Sequence, residues 1–229
     1  MVEDYLSDRE QEEALRIWWR ENWLWVIGGV AIGLAGLGAW QLWSRHVEVQ
    51  AETAAQLYTD LSGALASPAP TAADKDKAAA LLTQLDAEHA KSPYSDQAHL
   101  AMARVKVAAG EYDQAIAELK VAADRSADDA LVQLAQLRMA RLQVQLGRPD
   151  DALALLDVNK AGAFARTMHE LRGDALLAKG DRSGARLAYQ AALNEGADKE
   201  SAGGTELLQL KLQDLGDVEP VISAPVTPQ

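Results

Sequence analysis

At 229 residues and a formal charge of −12, with 34 acids against 22 lysines and arginines, the chain has room for one soluble domain of ordinary size plus an anchor. The sign of the charge and the scatter of the basic residues argue against a nucleic-acid footprint. The absence of cysteine excludes disulfides, thiolate catalysis, iron–sulfur clusters and cysteine-ligated zinc. Alanine and leucine dominate, and β-branched and aromatic residues are sparse after the first 45 positions, so the soluble part reads as all-α.

The first 22 residues are acidic and carry Arg9, Arg16 and Arg20. From Trp23 to Trp43 no residue is charged. At 1.5 Å per residue this stretch spans roughly 31 Å, which matches a hydrocarbon core of about 30 Å and predicts a transmembrane helix. Trp18, Trp19, Trp23 and Trp25 gather at one end and Trp40 and Trp43 at the other, as amphipathic rings do at the two interfaces. The apolar run exceeds the roughly 7–15 residues of a signal-peptide core, and Trp-Gln-Leu-Trp-Ser-Arg lacks a small-residue cleavage site, so the anchor is expected to be retained. Three arginines precede the span, whereas only Arg45 follows it before Lys75. That asymmetry predicts a cytoplasmic N-terminus, with residues 44–229 on the far side. Within the span Gly29 and Gly33 form a G-x-x-x-G pair. Ala31, Ala35 and Ala39 repeat the same spacing, and together these five residues are the candidate face for packing against a second membrane helix.

Beyond the anchor the pattern predicts a helix over 47–66, a Pro/Ala-rich loop over 67–73 and a helix over 74–91, which Pro93 separates from the next helix. Three self-similar segments follow: AMARVKVAAGEYDQAIAEL at 101–119, MARLQVQLGRPDDALALL at 139–156 and RGDALLAKGDRSGARLAY at 172–189. Their turn glycines, Gly110, Gly147 and Gly180, lie 37 and 33 residues apart. Ala115, Ala152 and Ala185 come five residues after these glycines, and Ala103, Ala140 and Gly173 seven residues before them. A period near 34 with small residues at two fixed offsets predicts a tetratricopeptide-like solenoid of helix pairs that cross closely. Residues 205–215 read as an amphipathic helix covering the last repeat, and 216–229, with three prolines, as a flexible tail. The fold class is therefore all-α: a single N-terminal transmembrane helix (23–43) followed by a helical repeat domain (44–215).

Enzymatic signatures are missing. His46, His89, His99 and His169 fall on separate predicted helices without a chelating pair and read as surface residues. Gly203-Gly204 sits in a predicted loop with no strand before it, and Asp128-Asp129 and Asp150-Asp151 read as helix openers. No catalytic, cofactor or metal role is assigned to any residue. In solenoids of this kind the first helix of each pair lines a concave groove. The register places Gln97, Leu100, Arg104 and Val107 there from one unit, and Leu134, Leu137, Arg141 and Val144 from the next. Arg104 and Arg141 share a register position and can receive carboxylates or carbonyls of an extended partner; the competing expectation is that each pairs with a neighbouring acid such as Asp174.

The segments LRMARLQVQLGRPDDALALLD at 137–157, ELRGDALLAKGDRSGARLAYQAAL at 170–193 and ELLQLKLQDL at 206–215, with the acidic Arg/Trp-containing start and lone span, resemble the YfgM family, ancillary subunits of the bacterial Sec translocon. The resemblance covers nearly the whole chain, the proline-containing tail departing from it. It implies an inner-membrane protein with a periplasmic repeat domain, working beside Sec translocon subunits and a membrane-anchored prolyl-isomerase-like chaperone on unfolded secreted clients. A second reading is a regulatory adaptor whose cytoplasmic N-terminal segment binds a stress-response regulator.

Overall fold

The computed structural model describes residues 2–196 and 202–216, and the chain divides into two units, Met1–Thr53 and Ala54–Gln229. The helices are α1 (Val2–Ala64), α2 (Ala72–His89), α3 (Pro93–Ala108), α4 (Tyr112–Arg125), α5 (Asp129–Gln145), α6 (Pro149–Leu155), α7 (Ala165–Ala178), α8 (Arg182–Gly196) and α9 (Ala202–Asp214), and no strand occurs among the described residues. The expected tail lies outside the described residues apart from Gly216.

In the first unit the whole described chain belongs to α1. The stretch Glu12–Ala64 is long and apolar enough to cross a membrane, and its most apolar 18 residues have a mean hydropathy of 1.6 with none of them buried. The sequence suggested separate helices for the span and for 47–66. In the structure they are one helix, because residues 44–53 contain neither glycine nor proline to interrupt it.

The second unit is a run of antiparallel helix pairs in which each element packs mainly on its chain neighbours, α3 on α4, α5 on α6 and α7 on α8, with α9 against α8. The helix ends are fixed locally. Thr71 and Asp74 form a reciprocal capping box at α2, with the Thr71 amide donating to Asp74 Oδ2 at 2.9 Å and the Asp74 amide to Thr71 Oγ1 at 3.2 Å. Ser92 caps α3 with Pro93 in its first turn, so this proline opens a helix more than it stops one. Gly203-Gly204, expected in a loop, lie inside the first turns of α9.

The three repeat turns are chemically one motif. Gly110, Gly147 and Gly180 have φ of 78°, 71° and 89°, in the left-handed region where a Cβ is strained. The residue after each glycine donates its amide to the carbonyl five residues earlier: Glu111 to Lys106 at 2.8 Å, Arg148 to Gln143 at 2.8 Å and Asp181 to Leu176 at 2.9 Å. This closes the first helix of each pair with a Schellman motif and turns the chain into the second.

Packing follows the predicted offsets. Ala115, Ala152 and Ala185 are fully buried, as is Ala140, with Ala103 nearly so. Each pair also buries a large residue nine positions after its glycine: Leu119, Leu156 and Tyr189. The first two face Ala103 and Ala140 within their clusters. In the third pair tyrosine stands opposite Gly173, where an added Cβ would fall well inside contact distance of the Tyr189 ring carbons. A larger side chain on one helix is thus matched by a smaller one on its partner. The pair α5–α6 departs from regularity: α6 has only seven residues and is followed by 3₁₀ turns at Val158–Lys160 and Gly162–Phe164 before α7, with Ala161 buried between them.

One interior cluster is polar. His99, expected at the surface, is 4% exposed. Its Nδ1 faces Glu118 Oε2 at 2.6 Å and its Nε2 faces both Asp86 oxygens at 3.2 Å. Ser95 and Arg125 also donate to Asp86, at 2.7 and 2.8 Å, and Lys106 to Glu118 at 2.6 Å. These bonds tie α2, α3 and α4 together. Sequence spacing could not reveal them because the partners lie 9 to 39 positions apart. Burial pushes the Glu118 carboxyl up, but hydrogen bonds from His99 and Lys106 outweigh it and hold the group below its ordinary value of 4.5.

Gly173→Ala should lower stability by about 1–3 kcal/mol in denaturant titrations through overpacking. The added Tyr189→Leu change should recover part of that loss, since it recreates the Ala–Leu pairing of the other two repeats, whereas additive losses would show the two positions to be independent. Gly63→Ala, on an open helical face, should be neutral or stabilising by up to about 1 kcal/mol. For Glu118, a depressed folded-state value means that its contribution is present above 4.5 and is lost as pH falls through the folded value. The stability gap between the natural protein and Glu118→Gln should therefore narrow on acidification below about pH 4.5; a gap that stays constant down to pH 3 or so would contradict the assignment.

Candidate partner groove

The Schellman turns fix which faces of α3 and α5 point away from their own second helices. Arg104 lies six residues before Gly110 and Arg141 six before Gly147, and both are exposed. Arg138, one turn before Arg141, is exposed as well. Three adjoining cavities run past them. One of ≈ 350 Å³ holds Leu100, Arg104, Val107, Arg138, Arg141 and Gln145. The next, of ≈ 370 Å³, is bounded by Tyr58, Leu65, Gln97, Leu100, Arg104 and Arg138. The third, of ≈ 570 Å³, opens between the 66–70 loop, Lys75 and Arg104. Arg104 borders all three and Arg138 two, so the cavities form one furrow.

Of the residues expected in the groove, Gln97, Leu100, Arg104, Val107 and Arg141 do line this furrow. Leu137 does not: it is 3% exposed and packs with Ala140, Met168 and Leu171. Val144 packs against the same cluster, and Leu134 is half-buried outside the furrow. The reason is that α5, unlike α3, has a further neighbour in α7, which takes the side of the helix that carries Leu137 and leaves Arg138 facing the furrow. Asp174 belongs elsewhere. It accepts from Tyr189 Oη at 2.7 Å and pairs with Lys211 Nζ at 2.7 Å, and Lys211 also bonds Glu170 at 2.8 Å and lies 5.4 Å from the Tyr189 ring centroid. This cluster pins α9 to α7 and α8. Burial, followed by the hydrogen bond to Asp174, pushes the Tyr189 hydroxyl well up. For Lys211 burial works downward, but the bonds to Asp174 and Glu170 prevail and raise it.

Asp174 therefore does not neutralise the groove arginines. Among the described residues Arg104, Arg138 and Arg141 make no ion pair. Arg138, Lys75, Tyr58 and Gln145 were missed from the sequence; only Arg138 left a signal, its spacing of one helical turn from Arg141.

In α1, Gly29, Gly33, Ala31, Ala35 and Ala39 are all exposed, and a Cβ at either glycine would meet nothing. They do not form one row. Positions two apart on an α-helix are turned by about 200°, so Ala31 and Ala35 lie opposite Gly29 and Gly33, whereas Ala39 follows one turn after Gly36, which continues the glycine side.

Comparison with known proteins agrees with this architecture. The family model of the tetratricopeptide repeat-like domain matches residues 16–217. An ancillary SecYEG translocon subunit of Escherichia coli is 32% identical over 214 residues, covering 93% of this chain and 99% of that protein. Proteins of the same name are 28% identical in Haemophilus influenzae and 31% in Aggregatibacter actinomycetemcomitans, each over 92% of this chain and 99% of the relative. No solved structure matches the chain significantly. With its N-terminal apolar helix, its glycine-turned helix pairs and near end-to-end similarity to these proteins, the chain belongs to the tetratricopeptide repeat-like family of ancillary SecYEG translocon subunits.

Proposed function

We propose that this chain is a membrane-tethered protein-interaction module that accompanies the Sec translocon. The carrying observation is that its similarity to a protein named as an ancillary SecYEG translocon subunit extends over 99% of that protein's length, apolar helix and repeats together. Residues 1–22 are cytoplasmic, 23–43 span the inner membrane, 44–215 form the periplasmic repeat domain, and 216–229 are a tail. The arginine excess ahead of the span supports that orientation. The repeat domain works by contact and not by catalysis, presenting the Arg104 furrow to partners: unfolded secreted clients, or a membrane-anchored chaperone of the prolyl-isomerase kind. The family resemblance and the arginines, which make no ion pair among the described residues, support this assignment. The span meets the translocon through its Gly29/Gly33 side, where close helix approach is open.

The test is recovery of translocon subunits with the full-length protein from membranes in mild detergent. Exchanging 23–43 for an unrelated leucine-rich span should weaken that recovery. Recovery at the unaltered level would remove the glycine side as the contact, and no recovery even of the natural protein would remove the assignment itself. Topology is checked separately. Protease added to spheroplasts should digest residues 44–229 and leave a short N-terminal fragment, while a fully protected repeat domain would reverse the orientation.

A further inference from the structure

We infer that the Arg104 furrow binds an extended peptide segment bearing acidic side chains, a deepening that rests on the repeat domain being an interaction module. Charge complementarity is the first observation. The chain carries 34 acids against 22 bases, yet no aspartate or glutamate lines any of the three cavities, whereas Lys75, Arg104, Arg138 and Arg141 do. Other cations of the same domain sit beside acids: Lys106 by Glu118, Arg125 by Asp86, Arg148 by Asp113, Lys179 by Asp150 and Lys211 by Asp174. In the furrow four cations gather with no acid in the lining, and low-dielectric walls focus their field.

The walls select the occupant further. The same walls carry Leu65, Leu100, Val107 and Tyr58, so charged and apolar sites share the furrow. An extended chain presents successive side chains to opposite sides and can offer carboxylates to the guanidinium forks while apolar neighbours enter the gaps. Gln97 and Gln145 add amides suited to a peptide backbone. Gln145 Nε2 donates to Tyr112 Oη at 2.8 Å, which leaves its Oε1 as an acceptor. A nucleic-acid strand or an anionic membrane is disfavoured, because such a polyanion reaches beyond the furrow and meets the repulsion of a chain of net charge −12. A short segment with a few carboxylates fits inside it.

The experiment uses full-length protein in neutral detergent and a fluorescein-labelled peptide of alternating glutamate and leucine, read by anisotropy. Its glutamine–leucine counterpart should bind about tenfold or more weakly, and binding of the acidic peptide should decline with added salt. Arg104→Gln with Arg138→Gln should weaken the acidic peptide by a similar factor of about ten, while Arg148→Gln, outside the furrow, should not. Arg104→Lys, which keeps the charge but loses the fork, serves if the double variant melts early; it should bind between the natural protein and the glutamine peptide's level. Equal affinity for the two peptides, or indifference to the furrow substitutions, overturns the inference. So does an oligothymidylate or a phosphatidylglycerol vesicle that displaces the acidic peptide and loses its own binding with Arg104→Gln. Translocon content is measured in the same preparations: failure of peptide binding with translocon subunits present sinks this inference alone, and their absence from the natural protein sinks the reading beneath it.

Discussion

The second unit depends on how closely two helices can cross. Each pair meets where one helix carries a residue no larger than alanine, seven positions before a glycine held at positive φ, and the other carries a buried alanine five positions after it. The Schellman turn sets the angle of return and the small residues set the distance, and every large buried residue is positioned by those two quantities. The exchange of Ala–Leu for Gly–Tyr in the third pair shows what is held constant: the summed volume at the crossing, and not the identity of either residue. Interiors packed to crystal density leave little alternative.

With the crossing fixed, the position six residues before each glycine is free to carry chemistry. It holds Arg104, Arg141 and Asp174. In the first two pairs the side chain faces a furrow. In the third, the same position is covered by α9, and an acid there pairs with Lys211 and accepts from Tyr189. One backbone slot thus supplies a candidate binding surface in the middle of the array and a seal at its end, as a solenoid requires when its last repeat has no following neighbour.

The polar cluster around His99 plays a different part. A buried ring between two carboxylates, themselves held by Lys106, Arg125 and Ser95, fixes α2, α3 and α4 through directional bonds. Removing one member would cost its partners directional bonds in a part-buried setting, so the network restricts how these helices can slide as much as it adds stability.

By itself the sequence determined the span, the helical class, the repeat register and the closing helix, because each is written in local spacing: an uncharged stretch of membrane length, a period near 34, and small residues at fixed offsets from glycine. It also placed Gln97, Leu100, Arg104, Val107 and Arg141 on one surface, since a helix face follows from its period. Only the tertiary structure decided which edge of that face stays open. α5 gives up Leu137 to α7 and exposes Arg138, Asp174 turns to Lys211, and His99 becomes buried, all through partners far along the chain. The continuity of α1 rests on the helix running unbroken through 44–53. Periodicity specifies which side of a helix is apolar, but only the neighbours that pack against it determine how much of that side is covered.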